Sequence, residues 1–127
     1  QNKKKLIIFL KRPEFLSNNQ KNQTVLDLFY LKNKKIINKK IMDEFMFDQL
    51  DNADVNLINE KIQKKYKNQA LFYDLYQVIC DDSKRICNSI DNEGKKIFYD
   101  YGHFTLDGSK YLGNILFDFQ FHKNYLK

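Results

Sequence analysis

The sequence has no tryptophan, one proline, four glycines, two cysteines and two histidines in 127 residues. Each scarcity excludes something. So little glycine and proline argues against a turn-rich all-β sandwich and against a disordered Pro/Gly-rich tail. No run of about eighteen apolar residues occurs, so no segment reads as a membrane-spanning helix. Leu6 to Leu10 is too short for the apolar region of a signal peptide. Two cysteines (Cys80, Cys87) and two distant histidines (His103, His122) do not give zinc-ligand spacing, and no metal or other cofactor is expected. Arginine, the residue of bidentate phosphate recognition, occurs only as Arg12 and Arg85. The net charge is nonetheless +6, from 22 Lys and Arg against 16 Asp and Glu. The lysine clusters at 3–5, 34–35, 39–40 and 64–65 lie among asparagines. Such a balance can serve nucleic acid or an anionic membrane surface. With so few arginines it reads as a solvated Lys/Asn-rich surface, and no nucleic-acid partner is expected.

What is present is aromatic. Eleven Phe and eight Tyr supply much of the 43% apolar content, enough to bury one core, so residues 1–127 read as one domain at most. The chain begins at Gln1 rather than Met, which reads as a processed product or a piece of a longer protein.

Strand and helix patterns alternate along it. Leu6-Ile7-Ile8-Phe9-Leu10, between Lys5 and Lys11, is a continuous apolar run suited to a parallel strand buried on both faces. Pro13 ends it. A polar, Asn-rich loop over 17–23 follows, and Asn22-Gln23-Thr24 makes Asn22 a glycosylation candidate if the domain is luminal or extracellular. A helix is expected within 25–50, with Ile37, Ile41, Met42 and Phe45 on one face. Asp54 is placed to cap the next helix, whose stripe is Val55, Ile58, Ile62 and Tyr66. Residues 70–75 form a second strand pattern and Val78-Ile79-Cys80 a helical turn, and 81–94 is a polar connection. Lys96 to Tyr99 is a third strand pattern ending at Asp100. Thr105 or Asp107 can cap a last helix lined by Tyr111, Leu112, Ile115, Leu116 and Phe119. No hairpin dipeptide such as Asn-Gly joins the strands. The order favours a layered α/β fold with a mostly parallel sheet.

The chemistry lies in Asp100-Tyr101-Gly102-His103. Ligands of open α/β sheets bind beyond the carboxyl ends of strands. A turn there brings an Asp oxygen to His Nδ1, fixes the tautomer, and leaves Nε2 to take a proton from a hydroxyl nucleophile. The three-residue spacing alone is also that of a loop histidine at the start of a helix. His122 lies in the tail, beyond the final apolar stripe, and reads as a surface residue.

The surroundings sharpen this. Ile79-Cys80, Cys87 and the run from Gly94 through Asp100-Tyr101-Gly102-His103-Phe104-Thr105 to Gly108-Ser109-Lys110-Tyr111-Leu112 resemble the C-terminal block of the SGNH hydrolase-like domain. The version appended to membrane-bound acyltransferase-3 proteins is the nearest. There a Cys pair precedes a strand, then Asp-x-x-His-Leu-Ser/Thr, two residues, Gly-Ala and a final helix. Phe104 replaces the usual Leu here, and Ser109 stands where Ala is common. Lys5 to Phe15, with its Arg12-Pro13-Glu14 turn, looks like the family's preceding central strand and loop. The resemblance implies a three-layer α/β/α, flavodoxin-like fold with its N-terminal strands missing from residues 1–127. It implies Asp100 as the orienting carboxylate, His103 as general base and then acid, and a disulfide between Cys80 and Cys87. It also implies an extracytoplasmic domain of a membrane protein.

The resemblance also shows a gap. The family's nucleophile is a Ser in a Gly-Asp-Ser motif. Ser17, Ser83, Ser89 and Ser109 have no such context, and Ser109 falls at an expected packing position of the last helix. Residues 1–127 are therefore expected to be inactive alone. The first function implied is an O-acyltransferase moving an acyl group onto a hydroxyl of a glycan or lipid, with a membrane acyltransferase domain as partner. The second is an SGNH esterase, with water as acceptor. A non-catalytic basic binding module is the third, and it predicts salt-sensitive binding indifferent to His103.

Overall fold

The computed structural model describes residues 6–16, 24–33, 38–51 and 54–118. Asn22, Ile37, Phe119, His122, Ser17 and the lysines at 3–5 and 34–35 lie outside them.

Strand β1 (Leu6–Phe9) pairs in parallel with β2 (Ala70–Tyr73), Leu6 opposite Ala70 and Phe9 opposite Tyr73. Parallel partners need a crossover connection. Here α1 (Val25–Lys32), α2 (Lys39–Asp48) and α3 (Val55–Tyr66) lie in it. Beyond β2 come α4 (Leu75–Ile79), the antiparallel hairpin β3 (Cys80–Asp81) and β4 (Ile86–Cys87), and α5 (Leu106–Asp118). The fold is α/β, with one two-stranded parallel pair and one short antiparallel hairpin.

The stretch over 25–50 holds two helices rather than one, because two caps punctuate it. Thr24 and Asp27 form a reciprocal capping box: the Asp27 N–H donates to Thr24 Oγ1 (3.1 Å), and the Thr24 N–H donates to Asp27 Oδ2 (2.9 Å). Asn38 Oδ1 accepts from the Ile41 N–H at the start of α2 (3.0 Å). Phe29 of α1 stacks on Phe45 of α2 with centroids 4.0 Å apart.

In α3 the buried face runs through Val55 and Asn59, and Ile58 is 40% exposed, so the stripe is turned from the one expected. Asp54 stands at the cap position without a side-chain hydrogen bond. A polar residue occupies that buried face for a reason. Asn59 Oδ1 accepts from the Lys11 N–H and its Nδ2 donates to the Lys11 carbonyl, both at 3.0 Å. The side-chain amide thus takes the place of a ladder partner just past the end of β1.

Two strand expectations need correction. β1 is not buried on both faces: Leu6 is 56%, Ile7 39% and Phe9 59% exposed. Among the described residues its only ladder partner is β2. Residues 96–99 do not form a sheet strand. They make isolated antiparallel bridges, Ile90 with Lys96 and Phe98 with Phe104, because the chain doubles back at once after Asp100 and its partners are local. Ile97 and Phe98 are still buried there. The polar connection over 81–94 contains the short hairpin, closed by a Cys80–Cys87 disulfide. The core joins Phe15, Met46, Val55, Ile79, Ile97, Phe98 and Leu112.

Candidate active site

Phe98 anchors the approach to Asp100. Its ring meets Phe15 edge-on at 4.8 Å and Phe104 at 5.2 Å, so both arms of the turn are held to one buried ring. The backbone closes around it. The Tyr99 N–H donates to the His103 carbonyl (2.7 Å), the Thr105 N–H to the Ile97 carbonyl (2.9 Å), and the Phe15 N–H to the Tyr101 carbonyl (2.7 Å). The Phe15 bond ties the loop after β1 to the turn, so the site sits at the carboxyl end of a parallel strand.

Within that frame Asp100 folds its carboxylate over its own turn. Oδ1 accepts from the Gly102 N–H (3.0 Å) and the His103 N–H (2.8 Å). His103 Nδ1 lies 2.8 Å from Oδ2 and 3.0 Å from Oδ1. Partial burial opposes the charge on Asp100. The two backbone N–H groups and the imidazole outweigh it and hold the carboxyl below the usual carboxylate range. An ionised carboxylate only accepts, so Nδ1 carries the proton and Nε2 is the ring atom left for proton transfer. The His103 side chain is 57% exposed, with Tyr101 edge-on to it at 5.6 Å. Thr105, not Asp107, supplies the cap of α5: its Oγ1 accepts from the Gly108 N–H (2.8 Å) and donates to the Lys96 carbonyl.

Asp100 and His103 are thus brought together. The serines are placed elsewhere. Ser83 Oγ is bound to Asp81 on the surface, and Ser89 is fully buried with its hydroxyl on Asp43 (2.6 Å). Ser109 is exposed rather than packed, and Gly108 is the buried residue of that pair. Among the described residues no serine hydroxyl is hydrogen-bonded to His103. Among them, too, no group of three or more His, Cys, Asp and Glu side chains gathers as a metal-ligand set.

The D-x-x-H turn is not peculiar to one family, but its setting has a match. The family described as "SGNH domain (fused to AT3 domains)" matches residues 1–118. The chain belongs to that family. Among solved structures, the SGNH chain is similar to the lipopolysaccharide acetyltransferase periplasmic domain of Salmonella ser. Paratyphi A. The TM-score is 0.59 at 18% identity, over 89% of this chain and 42% of that one. At this identity the likeness shows the shared fold. The SGNH chain therefore spans less than half of that domain. No curated protein matches it significantly. No helix among the described residues of the SGNH chain is long and apolar enough to cross a membrane.

Two long-range contacts near this turn leave no local pattern in the sequence. Asn59 lies 48 positions from the Lys11 backbone it binds. Arg12 lies beneath the turn, its guanidinium carbon 5.7 Å from the centre of the Phe104 ring. The strand end at Pro13 and the Arg12-Pro13-Glu14 turn place Arg12 at the carboxyl edge, but do not show what it meets there.

Proposed function

We propose that Asp100 and His103 are the general-base half of an O-acyl-transfer site, and that a serine from another part of the parent protein completes it. The observation that carries this reading is the His103 Nδ1 to Asp100 contact of 2.8 Å, on a carboxylate that two backbone N–H groups also hold. In the proposed reaction the serine oxygen attacks the acyl carbonyl of the donor as His103 Nε2 takes the serine proton. The imidazolium then returns that proton to the departing donor group. A hydroxyl of a glycan or lipid next loses its proton to Nε2 as its oxygen attacks the acyl-serine. The serine leaves and regains a proton from the imidazolium. Asp100 stays ionised throughout and stabilises the imidazolium formed twice in the cycle.

Membership of a family fused to AT3 domains supports a membrane acyltransferase domain as partner and source of the acyl group. The periplasmic setting of the Salmonella domain and the Cys80–Cys87 disulfide support an extracytoplasmic location.

The test is acetyl transfer to a glycan or lipid acceptor by the parent protein. His103→Ala is expected to lower turnover by about three orders of magnitude or more with circular dichroism unchanged. Undiminished transfer would sink the assignment. Release of free acetate in place of acylated acceptor would mark the esterase reading instead.

A further inference from the structure

We infer that Arg12 is a positioning residue for His103, acting through Gly102 and Asp100. The inference rests on reading Asp100 and His103 as the catalytic pair. Arg12 lies three residues past the end of β1, on the loop that runs beneath the turn, and Asn59 fixes the residue before it. Its guanidinium lies between two parts of that turn. One is the Phe104 ring, 5.7 Å from Cζ to centroid. The other is Gly102: a Cβ built there would meet Arg12 Nε at 3.4 Å, Arg12 Nη2 at 3.7 Å and Glu14 Cγ at 3.2 Å. Gly102 has no positive φ, so the missing side chain serves space, not backbone conformation. Space is needed there because the Glu14 stem and, behind it, the Arg12 guanidinium border the turn.

The Nε atom is buried and meets no hydrogen-bond acceptor among the described residues. A buried donor without an acceptor carries a desolvation penalty, which argues against a role in stability alone. The planar group makes sense as a wedge. It fixes Gly102, the Gly102 N–H fixes Asp100 Oδ1 (3.0 Å), and the Asp100 carboxylate fixes the His103 ring (2.8 Å). Phe104 also belongs to this chain's own solution, since the resembled family usually carries Leu there and a Leu offers the cation no ring face.

The test reads the imidazole directly and needs no catalysis. In the 15N-labelled chain, long-range proton–nitrogen spectra report which ring nitrogen carries the proton, with His122 as internal reference. They are recorded well above the ordinary imidazole range. His103 is expected in the Nδ1–H form. Arg12→Met keeps an apolar stem and removes the wedge. It is expected to lose that preference, moving both His103 nitrogen signals toward the mixed tautomers of a free imidazole while the melting temperature is nearly kept. Gly102→Ala, whose methyl crowds Glu14 Cγ first and reaches the guanidinium at contact distance, is expected to shift them in the same direction. Arg12→Lys, with charge but no plane, should recover the signals only in part, and it decides the matter if Arg12→Met does not fold. Folded variants whose His103 signals match the parent chain would overturn the role of Arg12. They would leave the catalytic pair untouched, because that reading stands or falls on acetyl transfer by His103→Ala.

Discussion

A Cβ built on Gly108 would lie 2.0 Å from the Ile97 carbonyl oxygen and 2.8 Å from its carbonyl carbon. The obstacle is backbone, which cannot swing aside as a long side chain does. That carbonyl is also fixed from another side, since it accepts the Thr105 N–H at 2.9 Å. The first turn of α5 therefore rests directly on the segment leading to Asp100. Gly108→Ala is expected to force the two apart and to cost about 2–3 kcal/mol, the scale of overpacking a fitted interior. Urea unfolding checks it. An unchanged midpoint would mean the turn yields freely, and the close approach would then hold no structural weight. Asp43 shows the same economy with polar groups. It is 5% exposed, yet it accepts the N–H and hydroxyl of buried Ser89 and faces Lys39 Nζ at 2.9 Å. A buried carboxylate so partnered is stable where a lone one is not.

Between elements, the link from α4 to the disulfide hairpin is a tyrosine. Tyr76 is 5% exposed and its hydroxyl donates to Asp82 at 2.8 Å. Burial, together with the Asp82 carboxylate, pushes its phenol up to about 12 from the usual 10.0. Folding thus favours the protonated phenol. Its contribution is complete below the unfolded value and is lost as pH rises from 10.0 toward about 12. The chain should lose denaturant resistance across that window. Tyr76→Phe should start less stable and lose less there, though Tyr73 and Tyr111, both raised by burial, keep some slope. Equal slopes in the two proteins would contradict the raised Tyr76 phenol. Elements of this kind were partly legible beforehand. The runs at 6–10 and 70–75 announced strands, and the stripe through Tyr111, Leu112, Ile115 and Leu116 announced α5, because local periodicity carries that information. Residues 96–99 misled for the same reason. Their apolar pattern reports burial, which is real for Ile97 and Phe98, and not which backbone they pair with. The Asp100–His103 contact was legible because it spans three positions inside a run that resembles a known family's C-terminal block. Arg12 beneath Gly102 and Asn59 beside Lys11 were not, because contacts across about 90 and 48 positions leave no periodic trace.

At the scale of the whole molecule, the parallel pair is the unfinished part. Both faces of β1 show apolar side chains to solvent, Leu6 and Phe9 most, while β2 is intermediate throughout. A parallel strand is ordinarily covered on both faces, and an open apolar edge is a template for pairing with another chain. The net charge of +6 opposes association, but only through long-range repulsion that salt screens. The apolar contact is not screened. Residues 1–127 alone should therefore self-associate as concentration rises, and more so in added salt. Ile7→Lys places a charge in the middle of the strand, among these exposed side chains, and should hold the chain monomeric with its helical content kept. Sedimentation velocity over a concentration series, at low and high salt, separates the cases. A monomer throughout, in high salt as in low, would mean that the exposed face of β1 is too small or too twisted to recruit a partner. The serine-bearing part proposed for the complete site would then have to dock somewhere other than on this strand.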